Sequence, residues 1–304
     1  MKPTRTTEHP GVSIVVPVRN AASTIGPCID ALLAQNYGGP FVIHVVDNDS
    51  RDETPRRLRS YAEAIRVSFE GTRGASAARN RGILESPHER IAFIDADCIA
   101  RADWLRELVQ SHLENPQATL VGGRIRARPS DSPIALWAET ILDQESAILS
   151  YEPPYVITAN AFGQRRDLIR CGLFHLDFLR SQDAEFSFRA GLRHGATFHY
   201  ARNAVVEHVN IETLSELWAK ALEHGTGSAR LWREFQSELD LSISGRLIDT
   251  SPYENALRET AALARDTMLG RSRETTEHQD FFNALFRLGK QVGFTWGSLR
   301  GGWR

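Results

Sequence analysis

Short β-branched runs, each followed by a helical stretch, constrain what this chain can fold into more than any other feature. Val12-Ser-Ile-Val-Val-Pro-Val18 reads as a strand, and Ile25, Ile29, Leu32 and Leu33 then recur at helical spacing until Tyr37-Gly-Gly-Pro40 stops the helix. Phe41–Val46 is a second strand, followed by a polar loop and a helix carrying Leu58, Tyr61 and Ala62. Ile65–Phe69, Ala75–Leu84 and Ile91–Ile94 continue the series as strand, helix and strand. A helix over Ala102–Leu113 and a strand over Ala118–Val121 follow. This βαβαβ order predicts an α/β protein with a mostly parallel sheet flanked by helices. Such sheets bind ligands outside the carboxyl ends of their strands. The chemistry-bearing residues obey that rule: Asp47 follows the second strand, Gly71–Gly74 the third and Asp95 the fourth.

Beyond Pro129 the pattern changes. Trp137–Leu149 reads as a helix, and Ser181–His194 as another with Ser181 at its N-cap and Gly195 at its C-cap. Thr197–Tyr200 and Ala204–Val206 read as two short strands, and Thr213–Phe235 and Asn255–Met268 as helices. The division expected is an N-terminal tail over residues 1–11, a catalytic domain over 12–210 and a helical C-terminal extension over 211–304.

Composition excludes several classes. A net charge of -2 gives no global basic field, so nucleic acid is not an expected partner. The three cysteines, Cys28, Cys98 and Cys171, lack the spacing of a zinc finger or a disulfide framework, which suits a reducing compartment. The longest apolar runs fall far short of the about 20 residues of a membrane span, and Met1–Pro10 has no apolar core of a signal peptide. Cytoplasmic residence is the expectation.

The sharpest local feature is Ile91-Ala-Phe-Ile-Asp95-Ala-Asp97. Residues i and i+2 of a strand point the same way, so both carboxylates can face one site, where like charges repel unless a cation joins them. Oxygen ligands suit Mg²⁺ or Mn²⁺. The plain alternative is that Asp97 leaves the strand for solvent. Asp47-Asn-Asp-Ser-Arg-Asp52-Glu-Thr54 is rich in acceptors for a base N–H, and equally rich in ordinary turn and cap residues. Gly71-Thr-Arg-Gly74-Ala-Ser-Ala-Ala-Arg79 resembles a phosphate cradle at a helix start, with Arg79 facing either solvent or a diphosphate. Asp183, in the first turn of its helix, reads as a general base or as an acid that merely favours the helix dipole. His208, after a strand, reads as a nitrogen ligand or an ordinary histidine.

In combination these stretches resemble the family-2 glycosyltransferases of the GT-A fold, a Rossmann-like nucleotide-diphospho-sugar transferase architecture, of the non-processive bacterial type. Val15-Val-Pro17-Val-Arg-Asn20, Val46–Thr54, Gly74–Gly82, Phe93–Cys98 with Trp104-Leu105, Ala159–Arg166, Gln182–Arg189 and Val205–His208 match in order over residues 12–210. The resemblance implies inverting transfer of a sugar from a UDP- or GDP-linked donor to a hydroxyl of a glycan or lipid-linked acceptor. It implies a nucleotide-sugar site at Pro17, Asn20, Asp47, Asn48, Arg79, Asp95 and Asn160, with Asp47 holding the base. It implies Asp97 and His208 as ligands of Mg²⁺ or Mn²⁺, Asp183 as general base, and Gln182 and Glu185 on the acceptor side or in support. A nucleotidyltransferase is the rival reading, but Val18-Arg-Asn-Ala-Ala-Ser23 has no glycine loop. An inactive sugar-nucleotide binding protein is the other, and it would need no acid at 183.

Two departures stand out. The acidic block usually opens Glu-Asp, and here it is Gln182-Asp183; no Gln-x-x-Arg-Trp follows, so a polymerase is not expected. In the C-terminal part, Trp218, Leu222 and Leu231 are expected to pack on the catalytic domain or shape the acceptor cleft, and His224-Gly-Thr-Gly227 to be a lid or a helix break. The aromatic and basic segment 286–304 reads as packed on the core, with peripheral contact at the inner membrane face as the alternative. Gly289, Gly293 and Gly297 argue against a stable free helix there.

Overall fold

The structure, a computed structural model, describes residues 9–239 and 275–299, together with Arg258. The helix expected over Asn255–Met268, the end of the tail beyond Leu299 and most of the N-terminal tail lie outside the described residues.

One compact unit comprises the described residues up to Arg126 and Leu142–Val209. It holds β1 (Val12–Val18), α1 (Ile25–Leu33), β2 (Phe41–Asp47), α2 (Thr54–Arg59), β3 (Arg66–Phe69), α3 (Ala75–Glu85), β4 (Arg90–Ile94), β5 (Cys98–Ala100), α4 (Trp104–Glu114) and β6 (Leu120–Ala127). After the excursion to the second unit come α6 (Gln144–Leu149), β7 (Asn160–Gln164), α7 (Arg165–Arg170), α8 (Gln182–His194) and β8 (Phe198–His208). The eight strands form one sheet in the order β3-β2-β1-β4-β7-β6-β8-β5. β1 is parallel to β2 and β4, and β2 to β3. β7 runs antiparallel to β4 and β6, and β5 antiparallel to β8. The sheet is therefore mixed: its parallel half is the part built by the helical crossovers α1, α2 and α3.

Alternation along the strands explains why the first runs are apolar throughout. Val12, Ile14, Val16 and Val18 of β1, with Ala92 and Ile94 of β4, enter one core; Val15, Ile91 and Phe93 enter the core on the opposite face. Thr197–Tyr200 and Ala204–Val206 prove to be parts of one strand, β8, whose middle residues Arg202 and Asn203 are exposed and polar. Ser181 stands at the N-cap of α8, but with φ 56° and no cap bond from its hydroxyl; Gly195 is the left-handed C-cap expected.

The second unit comprises Ala127–Ile141 and the described residues from Asn210 onward. It contains α5 (Pro133–Ala138), α9 (Leu214–Phe235) and α10 (Thr275–Leu299). The helix expected over Trp137–Leu149 is broken: a 3₁₀ turn over Glu139–Leu142 follows α5, and Asp143 caps α6 by accepting from Ser146 N. Thr213 and Glu216 form a reciprocal capping box that starts α9.

The glycine-rich C-terminal segment is helical after all. Gly289, Gly293 and Gly297 recur every fourth residue, so they share one face of α10. A β-carbon on Gly293 would overlap the Leu222 carbonyl, and one on Gly225 would overlap that of Lys290. The glycines, costing about 1 kcal/mol each in an isolated helix, let α9 and α10 meet backbone to backbone. Gly225 and Gly227 accordingly lie inside a continuous α9 rather than at a lid or a break, and Trp218 and Leu222 face α10. Trp137, Leu217, Ala221, Phe282 and Phe286 close the core of this unit, and Trp137 Nε1 donates to Asn283 Oδ1 at 2.9 Å. Among the described residues no helix is long and apolar enough to cross a membrane.

Candidate active site

Parallel pairing brings the ends of β1, β2 and β4 to one edge of the sheet. Val18 stands opposite Asp47, and the strand order turns back across β1 and β4, where open α/β sheets bind their ligands. Most of the polar groups in the loop after β2 serve the loop itself. Asn48 donates to the carbonyls of Glu70 and Thr72 and accepts from Gly74 N, tying the loops after β2 and β3 together. Asn20, at φ 49°, accepts from Arg51 N; Asp52 accepts from Ala22 N and Thr54 N. Asp47 is buried, and its Oδ1 accepts from Ser50 N at 3.1 Å, leaving its second oxygen for another donor. Pro17 lies in β1 opposite Val46, half-buried.

A second cluster forms where β4 meets β7. The antiparallel register sets Ile94 against Asn160, so Asp95 and the segment before Asn160 reach the same edge. There Thr158 Oγ1 donates to Asp183 Oδ1 at 2.6 Å from the first turn of α8. Arg79 is buried and faces neither solvent nor an open cradle: its Nη2 donates to Asp95 Oδ1 at 2.7 Å and its Nη1 stands 3.7 Å from Asp183 Oδ1. One guanidinium thus bridges the two carboxylates. Burial pushes the Asp183 carboxyl above its ordinary range, and the positive charge of Arg79 and the Thr158 hydrogen bond offset only part of the rise. Burial works to lower the Arg79 pKa, but Asp95 and Asp183 more than compensate and its pKa is raised.

The third cluster is Asp97 with His208. The pairing of β5 with β8 sets Cys98 opposite His208, and His208 Nε2 lies 3.5 Å from Asp97 Oδ2. The Cys98 thiol is close enough to join them as a third donor, yet it is buried and donates to Asp97 Oδ1 at 3.9 Å. Burial first, then the charge of Asp97, holds it as the neutral thiol. The Asp97 carboxylate is partly exposed.

Two predicted residues stand apart from these clusters. Asn160 is wholly buried, its Oδ1 accepts from Trp104 Nε1, and its Nδ2 donates to the carbonyls of Arg124 and Ala204. Its side-chain donors are spent on scaffold, which also explains Trp104 beside the acidic segment. Glu185 is buried and chelates Arg189, which in turn holds the carbonyls of Cys171 and Leu173. Gln182 opens α8 beside Asp183 and is half-buried. Thr158 and the bridging role of Arg79 carry no local sequence signal, because both depend on how β7 and α8 close over α3.

Residues 13–172, more than half of the chain, match the family described as Glycosyl transferase family 2. The chain belongs to that family. This family 2 glycosyltransferase is 28% identical over 234 residues to the glycosyltransferase AglE of Haloferax volcanii, a match covering 75% of this chain and 76% of AglE. It is 26% identical over 232 residues to the pre-mycofactocin glycosyltransferase of Mycobacterium tuberculosis; the match covers 73% of this chain and only 48% of that protein. Among solved structures, the mannosyltransferase PcManGT from Pyrobaculum calidifontis, in complex with GDP-Man and Mn²⁺, superposes with a TM-score of 0.67. That match has 21% identity and covers 95% of this chain and 88% of that one, so it carries the fold, which is the GT-A arrangement.

Proposed function

We propose that this family 2 glycosyltransferase moves a sugar from a UDP- or GDP-linked donor to the hydroxyl of a glycan or lipid-linked acceptor, with inversion. The observation that carries the reading is Asp183, held by Thr158 and bridged through Arg79 to Asp95 at the carboxyl edge of the sheet. A carboxylate raised above its ordinary range is a stronger base, and positioned proton removal is worth about 10²–10⁴-fold. The acceptor oxygen bonds to the anomeric carbon, its proton passes to Asp183, and the bond to the diphosphate breaks with its electron pair on the leaving oxygen. Attack and departure on opposite faces need no enzyme nucleophile.

Asp97 and His208 are the residues that would hold a divalent cation, with Asp95 toward the ribose or the ion. Their donor set fits one: an oxygen and an imidazole nitrogen 3.5 Å apart, which suits Mn²⁺ better than Mg²⁺. A bound cation would stabilise negative charge on the diphosphate. Asp47 offers its second oxygen to the base, with Pro17, Asn20 and Asn48 shaping that loop. The protein would work in the cytoplasm, at the inner membrane face where the acceptor is lipid-linked.

The test is isothermal titration with UDP, GDP and related diphosphates, each with Mn²⁺ and with EDTA. Saturable binding of one diphosphate that EDTA abolishes is the expected result and names the donor class. A folded protein that binds none of them in Mn²⁺ refutes the reading.

A further inference from the structure

Away from these clusters, arginines crowd one cavity of about 400 Å³. Arg124 and Arg126 are residues i and i+2 of β6 and so project to one face; Arg202 and Asn203 come from β8, and Arg101 follows β5. These are the three adjacent strands at the end of the sheet. The β5–β8 register fixes the distance from the Asp97–His208 pair. Cys98 is opposite His208 and Ala100 opposite Val206, and Arg101 N continues to the Val205 carbonyl. The cavity therefore begins roughly 10 Å along the ladder from the metal-site residues, at a strand rise of about 3.3 Å.

The charges there are not internally balanced. Asp103 and Glu107 also line the wall, but both are held by Arg106, at 3.6 and 3.1 Å. Arg202 has Glu145 at 3.0 Å. Among the described residues no carboxylate lies in ion-pairing range of Arg101, Arg124 or Arg126. Three cationic forks in one cavity repel one another until an anion joins them, and the planar guanidinium matches phosphate and carboxylate oxygens two at a time. The volume exceeds what one phosphate fills and falls within the range of small-molecule sites.

We infer that this cavity is a second binding site, for a ligand carrying two or more neighbouring phosphate groups, distinct from the donor site and independent of the transfer reading. Such a group can come from a soluble phosphorylated compound or from a lipid headgroup. The probe is inorganic pyrophosphate titrated calorimetrically in EDTA, so that no cation at Asp97 and His208 recruits it. Wild-type protein is expected to bind it saturably. Loss of a charge-assisted contact costs about tenfold, so Arg101→Ser, at an exposed position, and the double variant Arg124→Ser/Arg126→Ser each weaken binding by about that factor or more. Asp97→Asn leaves it unchanged. Pelleting with phosphatidylcholine vesicles doped with diacylglycerol pyrophosphate, lost in Arg101→Ser, identifies a headgroup; pyrophosphate binding without pelleting identifies a soluble ligand. Absence of wild-type binding, unaltered binding in both arginine variants, or loss in Asp97→Asn overturns the site.

Discussion

Arg79 holds apart the two tasks assigned to Asp95 and Asp183 by touching both. Its charge lowers the Asp183 carboxyl while burial raises it, and burial prevails. As the proposed base, Asp183 works deprotonated, so activity is expected to fall as pH drops through this raised pKa. In Arg79→Met the lowering charge is gone, the pKa rises further, and the acid limb of the kcat profile moves to higher pH. Coincident acid limbs in wild type and variant would show that another group titrates there. Asp183→Asn keeps the shape and removes the base. Transfer should fall by about 10²–10⁴-fold, with Mn²⁺-dependent diphosphate binding retained. Loss of both, with an unchanged fold, would make Asp183 a donor ligand instead. Asp95 and Asp97 stood out in the sequence because they follow a buried strand, and Asp183 because it opens a helix within a matched block. Asn160 and Glu185 belong to equally well-matched stretches, but their side chains are consumed by Trp104 and Arg189. A matching motif does not separate ligand contact from scaffold, since both constrain a residue.

Elements buried on both faces could be read directly, as β1 and β4 were, because their apolar side chains alternate between two cores. β8 read as two pieces because Arg202 and Asn203 in its middle are exposed. The short strands β5 and β7 take their partners from β8, β4 and β6, which no local pattern announces. α10 was the least legible element, since its glycines argue against a free helix and are needed for this packed one. Gly293→Val tests that account. Its added carbons meet the Leu222 backbone, which cannot rotate away as a side chain would. A loss of about 1–3 kcal/mol in unfolding free energy is expected, with reduced helical ellipticity at lower denaturant concentration. An unaffected unfolding curve would mean that the two helices do not meet at this face.

For the molecule as a whole, acid tolerance is set away from the chemistry. His44 is buried in β2, its Nε2 2.7 Å from Ser68 Oγ, which donates to Glu85 at 2.6 Å. Burial lowers the His44 pKa to about 4. The unfolded chain takes up this proton near pH 6.5, whereas the folded protein resists until about 4, so stability declines as pH falls across that window. The loss is about 3 kcal/mol by its end. The Ser68 hydrogen bond, followed by nearby Arg81, holds Glu85 below its ordinary value, so its stabilisation also vanishes on acidification, through its lowered pKa. His44→Gln should flatten the dependence of urea midpoint on pH between about 6.5 and 4; equal slopes would place the sensitivity elsewhere.

The sheet order has a consequence for synthesis. β5 is made early, yet its partner in the sheet is β8, which leaves the ribosome on the order of 100 residues later, a long loop to close. Until then Asp97 sits just before an unpaired strand with no imidazole beside it. A chain arrested before Phe198 has seven of the eight strands, the four of the parallel half among them, but nothing to bring nitrogen to that carboxylate. The Asp97–His208 pair comes into being with the last strand, so the ion site proposed there exists only once the nascent sheet is complete.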